Sequence, residues 1–289
     1  MDNDKKVLTI VDNMRKENRI RAQKSNIIGK EIFIPTREGK TRALIYEAKN
    51  NKQLSPIFID IHGGGFVAGL PEDDDKFCND LSTDLDITVI SIDYRLAPEF
   101  KWPKGIEDVY DVVSYIWSHS DEFKIDPNNM AIGGHSAGAN IATVVCMMAK
   151  EKNEMPFKCQ ILDYPPLDLV TPATEKFYTE GAIPPEIATM FDKCYRFEDD
   201  AKNPYCSPVF ASNEELKNLP PAIVITCEID SLRDEAEDYA QKLIKSGVET
   251  IAKRFYGVRH GFTISMPDLL ESKESYKMIA CGLRKYLLS

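Results

Sequence analysis

Short apolar runs alternate along this chain with longer stretches of helical periodicity. Residues 56–61 (Pro-Ile-Phe-Ile-Asp-Ile) and 87–92 (Ile-Thr-Val-Ile-Ser-Ile) read as buried strands, as do 129–133, 158–163, 221–227 and 250–256. Between and after them, 108–117, 139–150, 234–245 and roughly 273–288 carry helical spacing. Nearly continuous apolar strands alternating with helices predict an α/β fold whose mostly parallel sheet is covered on both faces. Ahead of this series, 31–35 and 41–48 predict a hairpin turning at 37–40. Residues 5–25 predict an exposed amphipathic helix with Val7, Leu8, Val11 and Met14 on one side.

One stretch breaks the rhythm. Residues 167–208 carry Pro172, Pro184, Pro185 and Pro204, a helical piece at 186–191, and no strong strand. Long excursions of this kind tend to be functional, and sites in parallel sheets form at the carboxyl ends of strands. The expected organisation is therefore one domain over 1–289, with residues 1–28 and 170–207 forming a cap.

Size and charge narrow the function classes. A chain of 289 residues with 43% hydrophobic and 28% charged positions is long enough for one well-buried α/β domain. Its net charge of -10 argues against nucleic acid and anionic membrane surfaces as partners. No apolar run approaches the roughly 20 residues of a membrane span, and no signal-peptide pattern opens the chain. A cytoplasmic location is expected. The 7 cysteines are odd in number and form no C-x-x-C pair, which argues against a disulfide framework or zinc site. Cys146, Cys159 and Cys227 lie in apolar runs and read as small core residues.

The chemistry centres on Gly134-His135-Ser136-Ala137-Gly138, a G-x-S-x-G sequence between a predicted strand and a predicted helix. Five residues with three fixed recur by chance as a Gly-Ser turn before a core helix. The flanking strand and helix make this one a nucleophile elbow, with Ser136 lifted clear of the sheet and Gly134 and Gly138 allowing close chain passage. A serine nucleophile needs a base, an orienting acid and an oxyanion hole. Of the four histidines, His119 sits among serines at a polar helix end. His135, next to the serine in the elbow, is expected to point away from it, and His62 opens a glycine run. His260, on the loop after the last strand, is the candidate base. Asp230 follows a strand between serine and histidine and is the candidate acid; Glu228 and Asp163 are rivals, and Asp234 suits a helix N-terminus better. After the 56–61 strand, Gly63-Gly64-Gly65 exposes backbone amides that, with the amide of Ala137, suit an oxyanion.

These blocks in this order resemble the hormone-sensitive-lipase-like family of α/β-hydrolases, the group of small bacterial carboxylesterases. The resemblance runs from about residue 56 to the C-terminus. It rests on His62-Gly63-Gly64-Gly65-Phe66, Asp93-Tyr94-Arg95-Leu96-Ala97-Pro98-Glu99, the Gly134–Asn140 elbow, Asn203-Pro204-Tyr205-Cys206-Ser207-Pro208, Asp230-Ser231-Leu232-Arg233-Asp234-Glu235 and His260-Gly261-Phe262. It implies an eight-stranded sheet with a helical cap, and hydrolysis of small short-chain acyl esters without metal or cofactor. It assigns the triad to Ser136, Asp230 and His260 and the oxyanion donors to Gly64, Gly65 and Ala137. His62 and the 93–99 block become structural braces, with Arg95 and Glu99 as buried partners. His135 and Ala139 depart from the family pattern, which often has Asp or Thr before the serine and Gly at the second position. The same scaffold also serves peptidases and amidases, normally with a large extra domain, and ligand receptors that have lost a triad member, commonly the histidine. The edge strand or the last helix is a candidate homodimer surface.

Overall fold

A computed structural model describes residues 2–49 and 54–288. The chain opens with α1 (Asp2–Lys24), then the hairpin β1 (Lys30–Thr36) and β2 (Gly39–Tyr46), β3 (Ser55–Ile61), α2 (Asp75–Leu85) and β4 (Thr88–Asp93). Next come α3 (Lys104–Ser118), α4 (Ser120–Phe123), β5 (Ile125–His135), α5 (Ala137–Lys152) and β6 (Phe157–Asp163). After a long connection holding α6 (Pro185–Tyr195) and α7 (Asn213–Leu216), the chain ends with β7 (Ala222–Ile229), α8 (Arg233–Lys245), β8 (Thr250–Arg259), α9 (Phe262–Ser265) and α10 (Leu270–Leu287).

The strands form one eight-stranded sheet in the order β1-β2-β4-β3-β5-β6-β7-β8. Only the β1–β2 and β2–β4 pairs are antiparallel. From β4 to β8 every neighbour is parallel, so six strands direct their carboxyl ends to the same edge. Alternate side chains feed two cores, as the pleat requires. Ile57, Ile59 and Ile61 of β3 join Ile132 of β5 and Val112 of α3 on one face. Phe58 joins Ala131, Ile161, Leu81 of α2 and Ile279 of α10 on the other. With both faces buried, the central strands carry almost no polar residues, which explains their legibility as uninterrupted apolar runs.

Several boundaries differ from the sequence reading, each for a local reason. Helix α2 was not anticipated: its sequence, Asp-Lys-Phe-Cys-Asn-Asp-Leu-Ser-Thr-Asp-Leu, is polar, and its buried face mixes Cys78, Leu81 and Leu85 with the polar Asp75 and Ser82. On α1, Val11 is buried but Leu8 is 46% exposed, so the inward stripe is narrower than predicted. The helix is held by Arg15, whose Nε donates to the Val67 carbonyl at 2.7 Å and whose Nη2 donates to that of Ala97 at 2.7 Å. The expectation that Arg95 and Glu99 are buried partners is corrected. Arg95 forks onto Asp108 at the start of α3, at 2.8 Å from Nη2, while the half-exposed Glu99 accepts from Arg15 at 2.8 Å. Helix α3 begins four residues earlier than the periodicity indicated, which is what brings Asp108 within that fork. Among the described residues, no helix is long and apolar enough to cross a membrane.

Ile59 is fully buried in the middle of β3, flanked on both sides by parallel strands. Ile59→Ala is expected to cost about 2–5 kcal/mol, from lost burial plus the cavity left behind. Urea denaturation of the variant beside the parent chain measures this.

Candidate active site

The elbow is built from backbone. β5 ends at His135 and α5 begins at Ala137, leaving Ser136 alone at the turn with φ 53° and ψ -120°. That left-handed backbone is costly for a residue with a Cβ and persists only where neighbours over-determine it. They do so here. The Ser136 amide donates to the Asp163 carbonyl at 2.8 Å, and the Ser136 carbonyl accepts from the Ala139 amide at 3.0 Å. Gly134 and Gly138 let the turn press against the end of β3. A Cβ on Gly134 would lie 2.4 Å from the Ile61 carbonyl oxygen, and one on Gly138 only 1.9 Å from it. The serine thus sits at the N-terminus of α5, where the helix dipole favours negative charge.

His260 follows β8 directly, and its Nε2 lies 2.8 Å from Ser136 Oγ. Its Nδ1 lies 2.7 Å from Asp230 Oδ2, and Asp230 follows β7 directly and is buried. A carboxylate only accepts hydrogen bonds. Nδ1 therefore donates to Asp230, which leaves the Nε2 lone pair to accept from the serine hydroxyl. The Leu232 amide donates to the other Asp230 oxygen, Oδ1, at 3.1 Å and holds the carboxylate in place. The structure thus joins three sequence-selected residues, separated by up to 124 positions, into one hydrogen-bonded chain.

The other candidates are placed elsewhere. Glu228 accepts from the Gly257 amide, Asp234 pairs with Arg233 at the start of α8, and His119 is exposed and stacked on Tyr115. Asp163 serves a different histidine: its Oδ2 lies 2.8 Å from His135 Nδ1. As expected, His135 turns away from Ser136, into the buried layer behind the elbow. Burial alone would lower its pKa, but the carboxylates of Asp74, Asp163 and Asp60 outweigh that and carry it up to about 9.

The glycine run lies against the elbow. A Cβ on Gly63 would meet the His135 carbonyl oxygen at 3.0 Å and Ser136 Cβ at 3.4 Å. Gly64 adopts φ 118°, and a Cβ there would fall 2.1 Å from the Ala68 carbonyl oxygen. His62 is buried and braces the loop from below, stacked on Tyr94 with ring centroids 4.4 Å apart. The Tyr94 hydroxyl in turn donates to the His62 carbonyl at 3.0 Å.

Ser136 and His260 open into a cavity of about 510 Å³ that Gly64 and Gly65 also border. Its far wall is Met14 of α1 together with Ile183, Ile187 and Phe191 from the irregular segment between β6 and β7. That segment holds no strand and is anchored by buried side chains, Asn140 first among them. Asn140 Nδ2 donates to the Pro166 carbonyl at 2.8 Å and to the Cys206 carbonyl at 3.1 Å, pinning both ends to α5. Glu235 adds a second anchor, accepting from the Leu167 amide at 2.7 Å and pairing with Lys176 at 2.5 Å. Asp192 also borders the cavity; burial, partly offset by Lys176 and Arg196, raises its carboxyl to about 6.

Arg15 and Phe191 escaped the sequence reading, because a basic residue on an exposed helix and an aromatic residue in an irregular segment look ordinary. The His135–Asp163 pair did carry a signal. The two residues end consecutive parallel strands and are register partners. A histidine and an aspartate closing neighbouring predicted strands are therefore candidates for contact.

The profile of the Abhydrolase_3 family, described as alpha/beta hydrolase fold, matches residues 58–264. An arylesterase of Saccharolobus solfataricus is 34% identical over 212 residues, covering 71% of this chain and 68% of that protein. The carboxylic ester hydrolase LipN of Mycobacterium tuberculosis is 34% identical over 244 residues, covering 80% of this chain and 63% of LipN. This chain thus spans about two thirds of the length of these curated relatives. The solved structure of a hyperthermophilic esterase from the archaeon Pyrobaculum calidifontis superimposes with a TM-score of 0.86 at 36% identity, covering 98% of this chain and 92% of that one.

Two consequences are measurable. Gly138→Ala sets a methyl against backbone that cannot move aside, and is expected to destabilise the chain by at least about 1–3 kcal/mol; thermal unfolding beside the parent chain reads this. Asp192 binds its proton more tightly folded than unfolded, so its contribution to stability rises as pH falls from about 6 toward 4. Asp192→Asn is therefore expected to stabilise the protein above pH 6 by up to about 3 kcal/mol, with the gain vanishing near pH 4. Urea titrations at both ends of that range give the comparison.

Proposed function

Since the chain belongs to the Abhydrolase_3 family, the hormone-sensitive-lipase-like group of α/β-hydrolases, we propose that it is a serine carboxylesterase acting on short-chain acyl esters. The observation that carries this reading is the chain of hydrogen bonds Ser136–His260–Asp230, with the serine held in a strained elbow at the mouth of the cavity.

Ser136 Oγ attacks the ester carbonyl carbon while His260 Nε2 takes its proton. Asp230 keeps the imidazole in the required tautomer and stabilises its charged form. The tetrahedral oxyanion is bound by the amides of Gly64, Gly65 and Ala137. Each such donor typically lowers the barrier by about 2.7–4 kcal/mol. His260 then returns the proton to the leaving alcohol oxygen. Water, deprotonated by the same imidazole, attacks the acyl-enzyme and releases the acid. The arylesterase and carboxylic ester hydrolase names of the relatives support this chemistry. The preference for short acyl groups is supported by the cavity, whose size suits a small ligand and which Phe191 walls off above Gly65: a Cβ on that glycine would fall 2.7 Å from the phenyl ring. The N-terminal helix and residues 170–207 act as the cap that sets acyl and alcohol size.

Initial rates on p-nitrophenyl esters from acetate to palmitate test the proposal. Turnover is expected to peak at the shortest chains and to fall by roughly 10,000-fold or more in a folded Ser136→Ala variant. Undiminished turnover in that variant overturns the assignment of the nucleophile. A folded parent chain inactive on every ester, but active on peptide anilides, moves the protein to amide chemistry.

A further inference from the structure

Behind the elbow, on the side of the sheet away from α5, lies a group of polar side chains that ester hydrolysis does not use. Asp60 of β3, Asp74 just before α2 and His135 at the end of β5 are 0%, 2% and 4% exposed. One ligand atom from each lies within 4.8 Å of the others, and His135 Nε2 is 3.9 Å from Asp60 Oδ1. Among the described residues, Asp60 Oδ1, Asp74 Oδ2 and His135 Nε2 all lack a hydrogen-bond partner. Buried polar atoms without partners are costly, and three converging on one point call for an occupant. The other side-chain polar atoms of Asp60 and His135 are already engaged. Asp60 Oδ2 accepts from the Ser91 hydroxyl at 2.7 Å, and His135 Nδ1 donates to Asp163 Oδ2 at 2.8 Å.

We propose that Asp60, Asp74 and His135 form a binding site for a divalent transition-metal ion of the zinc class, placed directly behind the candidate nucleophile. The chemistry of the donors selects the ion. One imidazole nitrogen and two carboxylate oxygens suit zinc, whereas magnesium and calcium favour oxygen alone. A metal-bound imidazole characteristically donates its second N–H to a carboxylate, and Asp163 occupies that position on His135. Two donors on one tetrahedral zinc ion sit about 3.3–3.5 Å apart, so the 3.9 Å pair has only about half an ångström to close. Small rotations of the carboxylates close the rest. Charge points the same way: Asp60, Asp74 and Asp163 gather around one imidazole, and a dication balances them better than a proton does. Asp74 and His135 also border the large cavity, which provides a route of entry. The site ties β3, β5 and the start of α2 together behind Ser136, so the ion acts as a structural clamp on the elbow.

The test uses the full chain, stripped with a chelator and dialysed, and titrated calorimetrically with zinc chloride and separately with magnesium chloride. One zinc ion per chain is expected, with a raised melting temperature and at least 10-fold weaker binding of magnesium. Asp60→Asn, Asp74→Asn and His135→Gln are each expected to weaken zinc binding by 100-fold or more. Asp163→Asn, which keeps the ligands but loses their orienting partner, is expected to weaken it about 10–100-fold. The asparagine variants keep the side-chain shape and remove buried negative charge, so they are chosen to fold; circular dichroism checks this. No zinc binding by the parent chain at 100 µM (about 10⁻⁴ M, weaker than a built site) overturns the proposal and leaves the cluster to a proton or buried water. Zinc affinity unchanged in the folded Asp74→Asn and Asp60→Asn variants overturns it equally, by placing the ion elsewhere.

Discussion

The close approach of two backbones governs this site. The last carbonyl of β3, that of Ile61, is met by Gly134 at the end of β5 and Gly138 in the first turn of α5, with no room for a Cβ on either. The residues after Ile61 are the glycine run, and the residue between those two glycines' strand and helix is Ser136. One contact therefore sets the distance between the serine and the loop beside it. The left-handed backbone at Ser136 is a consequence: the chain must reverse from strand to helix within a single residue while pressed against β3.

The rest of the site is delivered by the parallel sheet. β3, β5, β7 and β8 run in one direction and end at one edge, so the segments following them converge although they are far apart in sequence. Asp230 and His260 each come immediately after a strand, where the register of the sheet places them with little freedom. The cavity wall is attached differently. Its segments have no ladder of their own and depend on individual side chains: Asn140 and Glu235 for the segment between β6 and β7, Arg15 for the N-terminal helix. The candidate catalytic residues therefore rest on rigid elements and the wall on replaceable anchors, a division that lets pocket shape vary while those residues stay fixed.

The layer behind the elbow shows how a departure from a family pattern is accommodated. A histidine at position 135 faces the buried side of the sheet, where an unpaired imidazole is unfavourable. It is matched by Asp163, its register partner on the neighbouring strand, and it faces Asp60 and Asp74. The departure is thus not a lone substitution but one member of a polar group spread over three strands and the residue before α2.

How much of this was legible in the sequence follows from the range of the forces involved. The α/β class, the central strands and the elbow were readable because burial on both faces leaves uninterrupted apolar runs, and because a strand-to-helix reversal at one residue demands small neighbours. The order of serine, acid and histidine was readable as residues following strands. Helix α2 was not, since a mostly polar helix with one narrow buried face has little periodic signal. Asp230 is preferred to Glu228 and Asp163 from its place in the chain, but its contact with His260 is visible only in three dimensions: all three lie at or near strand ends, and a hydrogen bond of 2.7 Å depends on strand order, which local sequence does not encode. The same holds for Arg95 finding Asp108 instead of Glu99, and for His135 meeting three carboxylates. Local sequence determined which residues lie inside and which end strands. Only the tertiary packing decided which of them touch, because that depends on contacts between separate segments, from 13 to 124 residues apart in the chain.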